Sequence, residues 1–111
     1  MENYKSKIMG MNQKIFLKKL EAEYAKNVEI SRKKNADYAN SDDAFFNFRA
    51  CEMLGIDPRV GLLVRMSDKI VRAANLMNRE ALVEDEKVGD TLADLANYAI
   101  ILKLFNESEK K

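Results

Sequence analysis

Apolar residues recur along this chain at helical spacing, and nowhere do they alternate in the two-residue rhythm of a half-buried strand. Phe16, Leu20, Tyr24 and Val28 form one stripe at four-residue steps, which predicts a helix from about Asn12 to Lys34. Lys33 and Lys34 suit its C-terminal end, where the helix dipole is negative. A polar joint, "NADYANSDD", follows. The segment "DDAFFNFRACEML" predicts a short helix starting near Ser41 or Asp42, either of which can cap it, and stopping at Gly55. Asp57 followed by Pro58 marks another start: a capping carboxylate, then a proline where no N–H is needed. From there Val60, Leu63, Val64, Ile70, Val71, Ala74 and Met77 fill one broad side, widened by Met66, Ala73 and Leu76. This breadth predicts that the Pro58–Met77 helix is central and the most buried. Its remaining narrow strip is polar: Gly61, Arg65, Asp68, Arg72 and Asn75, at alternating four- and three-residue steps. After "NREALVEDEK", Val88, Leu92, Leu95, Ala99 and Leu102 predict a last helix from about Asp85 to Asn106. The polar start "MENYKSKIMGMNQK" and the tail "NESEKK" flank these elements. The expectation is a single all-α domain, a small bundle of three long helices and one short one, with the long helices antiparallel. A helix that is apolar on most sides exceeds what one short bundle can cover, so a homo-oligomer, at least a dimer, is expected.

The bulk composition narrows the chemistry. The 111 residues suit one core, and 47% are apolar, enough to fold. With 19 basic and 18 acidic side chains the chain is near neutral, which argues against a general nucleic-acid or membrane surface and makes any charge-based function local. No apolar run of spanning length and no signal segment is present, so a cytoplasmic protein is expected. Cys51 is the only cysteine and there is no histidine. This removes intrachain disulfides, thiolate metal clusters and the usual general base. Any metal would be held by oxygens, which favours Mg²⁺ or Mn²⁺.

Two stretches stand out against this background. In "DEKVGDTLADLANYAII", Glu86, Asp90 and Asp94 stack acid on acid one turn apart, with Asn97 in the same quarter of the helix and Tyr98 and Ile101 beside it. Like charges at this spacing cost roughly 0.2–0.5 kcal/mol per pair. Either the acids form the solvated side of an amphipathic helix, or something positive faces them. A hard divalent ion shared with Asp68 of the central strip would resolve the repulsion, while Arg65, Lys69 and Arg72 offer bidentate and point-charge contacts to phosphate. In "KKNADYANSDDAFFNF", Lys33, Asn35, Asp37, Tyr38, Asn47 and Phe48 crowd one connection. They are either turn formers and core residues or a base pocket, in which aromatic rings stack on a nucleobase and amides read its edge.

Taken in order, "DYANSDDAFFNFR", "LLVRMSDKIVRAANL" and "EDEKVGDTLADLANYAIIL" resemble the phage and bacterial nucleotide-modification-associated domain family, over roughly Lys33 to Leu104. That family is placed near the MazG-like all-α nucleoside triphosphate pyrophosphohydrolases, and the resemblance implies a MazG-like fold, dependence on Mg²⁺ and an oligomer. It also implies a setting in phage nucleotide metabolism, in host cytoplasm if the chain is phage-encoded. Those enzymes carry E-x-x-E and E-x-x-D motifs. Here the central helix has Asp68 without E-x-x-E, and the last helix has Glu86, Asp90 and Asp94 at four-residue steps. Beside a structural or interaction module in which the acids are simply solvated, two functions follow as expectations. One is Mg²⁺-dependent cleavage of a (d)NTP to NMP and pyrophosphate. In it Asp68, Glu86, Asp90 and Asp94 would hold the metal and orient a water, Arg65, Lys69 and Arg72 would steady the phosphates, and Tyr38, Asn47 and Phe48 would select the base. The other is non-catalytic sequestration of a nucleotide, including a cyclic or ADP-ribose-type immune signal, which the loss of the full acidic motif favours.

Overall fold

Three long helices and one 3₁₀ helix make up the computed structural model, which describes residues 4–37, 43–78 and 85–109. Among the described residues there is no strand. Helix α1 spans Gln13–Asp37, a 3₁₀ helix spans Phe46–Leu54, α2 spans Pro58–Asn78 and α3 spans Asp85–Glu109. None of the helices is long and apolar enough to cross a membrane.

The ends of these elements follow from local chemistry. Asn12 caps α1: its Oδ1 accepts from the backbone N–H of Lys14 at 2.8 Å and its carbonyl from that of Phe16 at 2.9 Å. Asp57 does the same for α2, accepting from the N–H of Arg59 at 2.9 Å through Oδ1 and from that of Gly61 at 3.0 Å through its carbonyl. Gly55 ends the 3₁₀ helix with φ of 75°, the left-handed conformation that glycine adopts without a Cβ penalty. The short helix departs from expectation. Ser41 and Asp42 lie outside the described residues, and the helix begins only at Phe46, with 3₁₀ rather than α geometry. Asp43 organises the approach instead, accepting from the N–H of Phe45 at 2.9 Å and from Nε of Arg49 at 2.7 Å. An Asx turn of this kind supplies the backbone with an alternative to an α-turn. At the other end of the chain α3 runs to Glu109, past the expected stop at Asn106.

Cross-helix bonds fix the packing directions. Arg59, at the start of α2, donates to Asn106 near the end of α3 at 3.1 Å, and Lys69 in the middle of α2 meets Asp94 in the middle of α3 at 2.9 Å. These two helices are therefore antiparallel, and they share the main interface. Helix α1 corrects the expectation of an all-antiparallel bundle. Asn27 donates to the carbonyl of Ala93 at 3.2 Å and Asn97 donates to Ser31 at 3.0 Å, pairs with the same sequence separation of 66, so α1 runs parallel to α3.

The core sits between α2, α3 and the 3₁₀ helix. Leu62 and Phe105 are each 1% exposed, and Ala73 and Thr91 are buried about three to four turns away along α2 and α3. The Phe45 ring meets Phe105 edge-on at 5.1 Å, and the Arg49 guanidinium lies over the other aromatic face at 5.0 Å from its centroid. Burying Leu62 and Phe105 contributes roughly 1.5–3 kcal/mol each. The expected apolar faces are shifted from this core. On α3, Leu92 and Ala99 are exposed, and the inward face is Thr91, Leu95, Tyr98, Leu102 and Phe105. With Pro58, Leu62 and Ala73 buried, α2 holds more buried residues than α1 or α3 among the described side chains, as expected, although most of its broad apolar side (Val60, Leu63, Val64, Ile70, Val71, Met77) is exposed.

Candidate functional site

The polar strip of α2 and the inward aromatic of α3 create two adjoining cavities. The open one, about 750 Å³, runs along Arg65, Asp68, Lys69, Arg72 and Asn75 and ends at Tyr98. Every polar member of the strip from Arg65 onward lines it, because steps of four and three residues keep side chains on one helical face. The second, about 250 Å³ and more enclosed, lies where the end of α1, the 3₁₀ helix and α3 converge. Phe45, Phe48 and Tyr98 give it aromatic walls, and Asn35, Asn47 and Asn97 give it amides. Arg65 and Tyr98 line both cavities, so the two adjoin across these side chains.

The geometry at this junction is ordered by ring contacts. Phe48 and Tyr98 meet at 6.5 Å with an interplanar angle of 88°, and the Arg65 guanidinium lies 5.3 Å from the Phe48 centroid. A guanidinium stacked on an aromatic face can still use its in-plane N–H donors. Neither Arg65 nor Arg72 makes an ion pair among the described residues, and Asn35 and Asn47 make no side-chain hydrogen bond there, so these groups are available to a ligand. Asn97 is engaged, since it bonds Ser31 and so holds α1 against α3 at the edge of the enclosed cavity.

The acidic residues take a different arrangement from the expected metal site. Asp94 accepts from the Lys69 ammonium at 2.9 Å, with 38% and 28% of the two side chains exposed. A lysine on the neighbouring helix thus faces Asp94. Asp90 lines the groove between α3 and α1, beside Glu23 and Lys26, on another flank of α3 from Asp94's partner. Asp68 lies in the α2 groove. The side chain of Glu86 lies outside the described residues. Among the described residues no three His, Cys, Asp or Glu side chains come together as a metal site requires. The described acids, dispersed over two grooves and with one bound to an ammonium, do not fit a divalent ion.

Of the other expected residues, Lys33 is exposed and lines neither cavity, because it falls on the far side of α1 from Ser31, Lys34 and Asn35, which do line the enclosed one. Tyr38 and the Asp37 side chain lie outside the described residues. Ser31, Lys34, Phe45 and Asn75 are site-lining residues that sequence reasoning did not select. Ser31 carried a signal: it is a polar residue where the stripe through Phe16, Leu20 and Tyr24 would continue.

Comparison with protein-family models, curated proteins and solved structures finds no match for this chain.

Proposed function

We propose that this protein binds a phosphorylated nucleoside, with the base in the enclosed cavity and the phosphates along the polar strip of α2. The observation that carries this reading is the sharing of Arg65 and Tyr98 between the two cavities, which sets an aromatic, amide-rich space beside a groove whose guanidiniums make no ion pair among the described residues. The sizes suit the division of roles. The enclosed space, 250 Å³, falls below the roughly 300–1,000 Å³ of pockets for whole drug-sized ligands, and so suits a base alone. Phe48 and Tyr98 offer stacking surfaces, Asn47 and Asn35 offer donors and acceptors for a base edge, and Arg65 and Arg72 offer forked donors to phosphate. The family resemblance of the sequence supports the same ligand class.

Retention without chemistry is the better-supported use of this site, because Lys69 holds Asp94 and the described acids are dispersed. It covers the sequestration of a nucleotide-derived signal. Metal-assisted pyrophosphohydrolysis is a second reading, favoured by Asp68 in the same groove as the arginines. With no fitting set of metal ligands among the described side chains, we assign it no chemical step. One experiment separates the two: incubation with a mixed pool of (d)NTPs and cyclic nucleotides, with and without Mg²⁺, followed by analysis of the solution and of the protein-bound fraction. Unaltered nucleotide recovered stoichiometrically from the protein is expected. NMP and pyrophosphate formed only with Mg²⁺ would establish hydrolysis, and no retained or altered nucleotide would reject both. Phe48→Ala or Tyr98→Ala is expected to weaken binding by roughly 1–3 kcal/mol, the worth of one base–aromatic stack.

A further inference from the structure

A single acid lines the two adjoining cavities among the described residues. Asp68 sits in a lining whose other charged groups are Lys34, Arg65, Lys69 and Arg72. Arg65 stands one turn before it and Arg72 one turn after it on the same face of α2, at the spacings where opposite charges commonly pair. Asp68 nevertheless makes no ion pair and no side-chain hydrogen bond among the described residues. Lys69, its neighbour in sequence, is engaged with Asp94 instead. We propose that Asp68 accepts hydrogen bonds from the sugar hydroxyls of the bound nucleotide, so that the site prefers ribonucleotides to their 2′-deoxy counterparts. This assignment rests on the placement of base and phosphates given above.

Complementarity carries the argument. A carboxylate accepts hydrogen bonds and donates none, so the ligand group opposite it must be a donor. Phosphate oxygens are acceptors and carry negative charge, so phosphate is repelled from this turn of the strip and drawn to the guanidiniums on either side. The base occupies the enclosed cavity, which leaves the sugar. The sugar is bonded to both base and phosphate, so with these two placed it lies in the open groove close to the shared Arg65 and Tyr98, and Asp68 is the next polar residue of the strip. By helical rise Asp68 stands about 4.5 Å beyond Arg65 along the α2 axis, and Arg72 about 6 Å further. Vicinal 2′- and 3′-hydroxyls present two O–H donors to the two oxygens of one carboxylate. An acidic side chain holds a ribose hydroxyl in the same way in dinucleotide-binding α/β folds. A divalent ion is the other partner that suits a lone carboxylate, but no second acid lines either cavity among the described residues to share it. Asp68 is exposed, so water replaces a missing hydroxyl, and the preference falls at the lower end of what a hydrogen bond to a charged group gives, about tenfold.

The test is equilibrium dialysis of the full chain against an equimolar pool of the four common ribonucleotides and their 2′-deoxy counterparts, as mono-, di- and triphosphates. It is run in EDTA and again in Mg²⁺, and the retained species are identified by mass. Ribonucleotides should be enriched about tenfold over deoxynucleotides of the same base and phosphate count in both conditions. Asp68→Ala should abolish the enrichment by bringing ribonucleotides down to the level of the deoxynucleotides. Alanine suits an exposed helical position, and circular dichroism checks that the helices are kept. Asp68→Asn, close in shape and retaining one acceptor oxygen, should reduce the enrichment without abolishing it. Equal retention of the two sugar types by wild type overturns the role of Asp68 and leaves the placement of base and phosphates standing. Enrichment that survives Asp68→Ala overturns it too, as does enrichment seen only with Mg²⁺, because the carboxylate then serves an ion. Retention of no nucleotide at all overturns both the placement and this assignment.

Discussion

Lys69→Met tests the ion pair on which the assignment of the acidic face turns. At 2.9 Å two unit charges attract by about 6 kcal/mol at an effective dielectric near 20, a gross figure that desolvation largely offsets. Measured couplings bracket the net. Exposed pairs contribute about 0.2–1 kcal/mol, whereas truncating one partner of a fully buried pair costs about 3–5 kcal/mol. With 28% and 38% of the side chains exposed, Lys69 and Asp94 sit between these limits, and a coupling of about 1 kcal/mol follows. The single variants should differ. Lys69→Met leaves a half-buried carboxylate without its partner and should cost about 1.5 kcal/mol, whereas Asp94→Asn keeps an amide oxygen that can still accept from the ammonium and should cost several tenths less. Urea unfolding followed by circular dichroism, with Lys69→Met, Asp94→Asn and the double variant, yields the coupling as a thermodynamic cycle, provided the m-value is constant. A coupling below about 0.3 kcal/mol would refute the reasoning. So would a rise in wild-type melting temperature on adding Mg²⁺ that disappears in Asp94→Asn, because the carboxylate's partner would then be an ion from solution.

Two further expectations concern the start of α2. A Cβ added at Gly61 would lie 3.0 Å from Sγ of Cys51. Gly61→Ala should therefore forfeit most of its helix-propensity gain of about 1 kcal/mol, and should recover it in a Cys51→Ala background; a full gain in the wild-type background by thermal melting would contradict the contact. The side-chain hydrogen bond from Arg59, and then its backbone N–H, hold the Asp57 carboxyl below its ordinary value of 3.8. A depressed folded value means that this group's contribution is fully present above the ordinary value and is lost as pH falls through the lower one. The stability advantage of wild type over Asp57→Asn should accordingly shrink on acidification below about pH 4, and an advantage that stays constant from pH 6 to pH 2 would count against it.

Sequence signals located helices well and directions poorly. Asn12, Gly55 and Asp57–Pro58 each marked a boundary through a bond that a residue makes with its own neighbours, which is why they were legible. The strip through Arg65, Asp68, Arg72 and Asn75 was legible because helical periodicity alone puts those side chains on one face, and that face lines the open groove. What surrounds a face is a tertiary fact. The acids on α3 read either as a solvated face or as facing something positive, and the partner of Asp94, Lys69, lies 25 residues away in the chain. The parallel course of α1 was hidden for the same reason. Its four-residue apolar stripe suggested ordinary burial, yet the bonds that dock it come from Asn27 and Ser31. Lys34 rather than Lys33 lines the enclosed cavity, a difference of helical phase that no sequence signal fixes at the last turn of α1.

The way α1 is docked sets how the fold opens. None of its described side chains is buried, and it is held to α3 through an amide–carbonyl bond and an amide–hydroxyl pair, whereas α2 and α3 close over Leu62 and Phe105. Regions with few buried contacts exchange their amide hydrogens through partial openings well below the global unfolding free energy. Helix α1 is thus a separate exchange unit, which can lift away while the α2–α3 hairpin stays closed. Ser31, Lys34 and Asn35 line the enclosed cavity, so lifting α1 uncovers it, and a bound molecule would slow the exchange of α1 amides before those of α2.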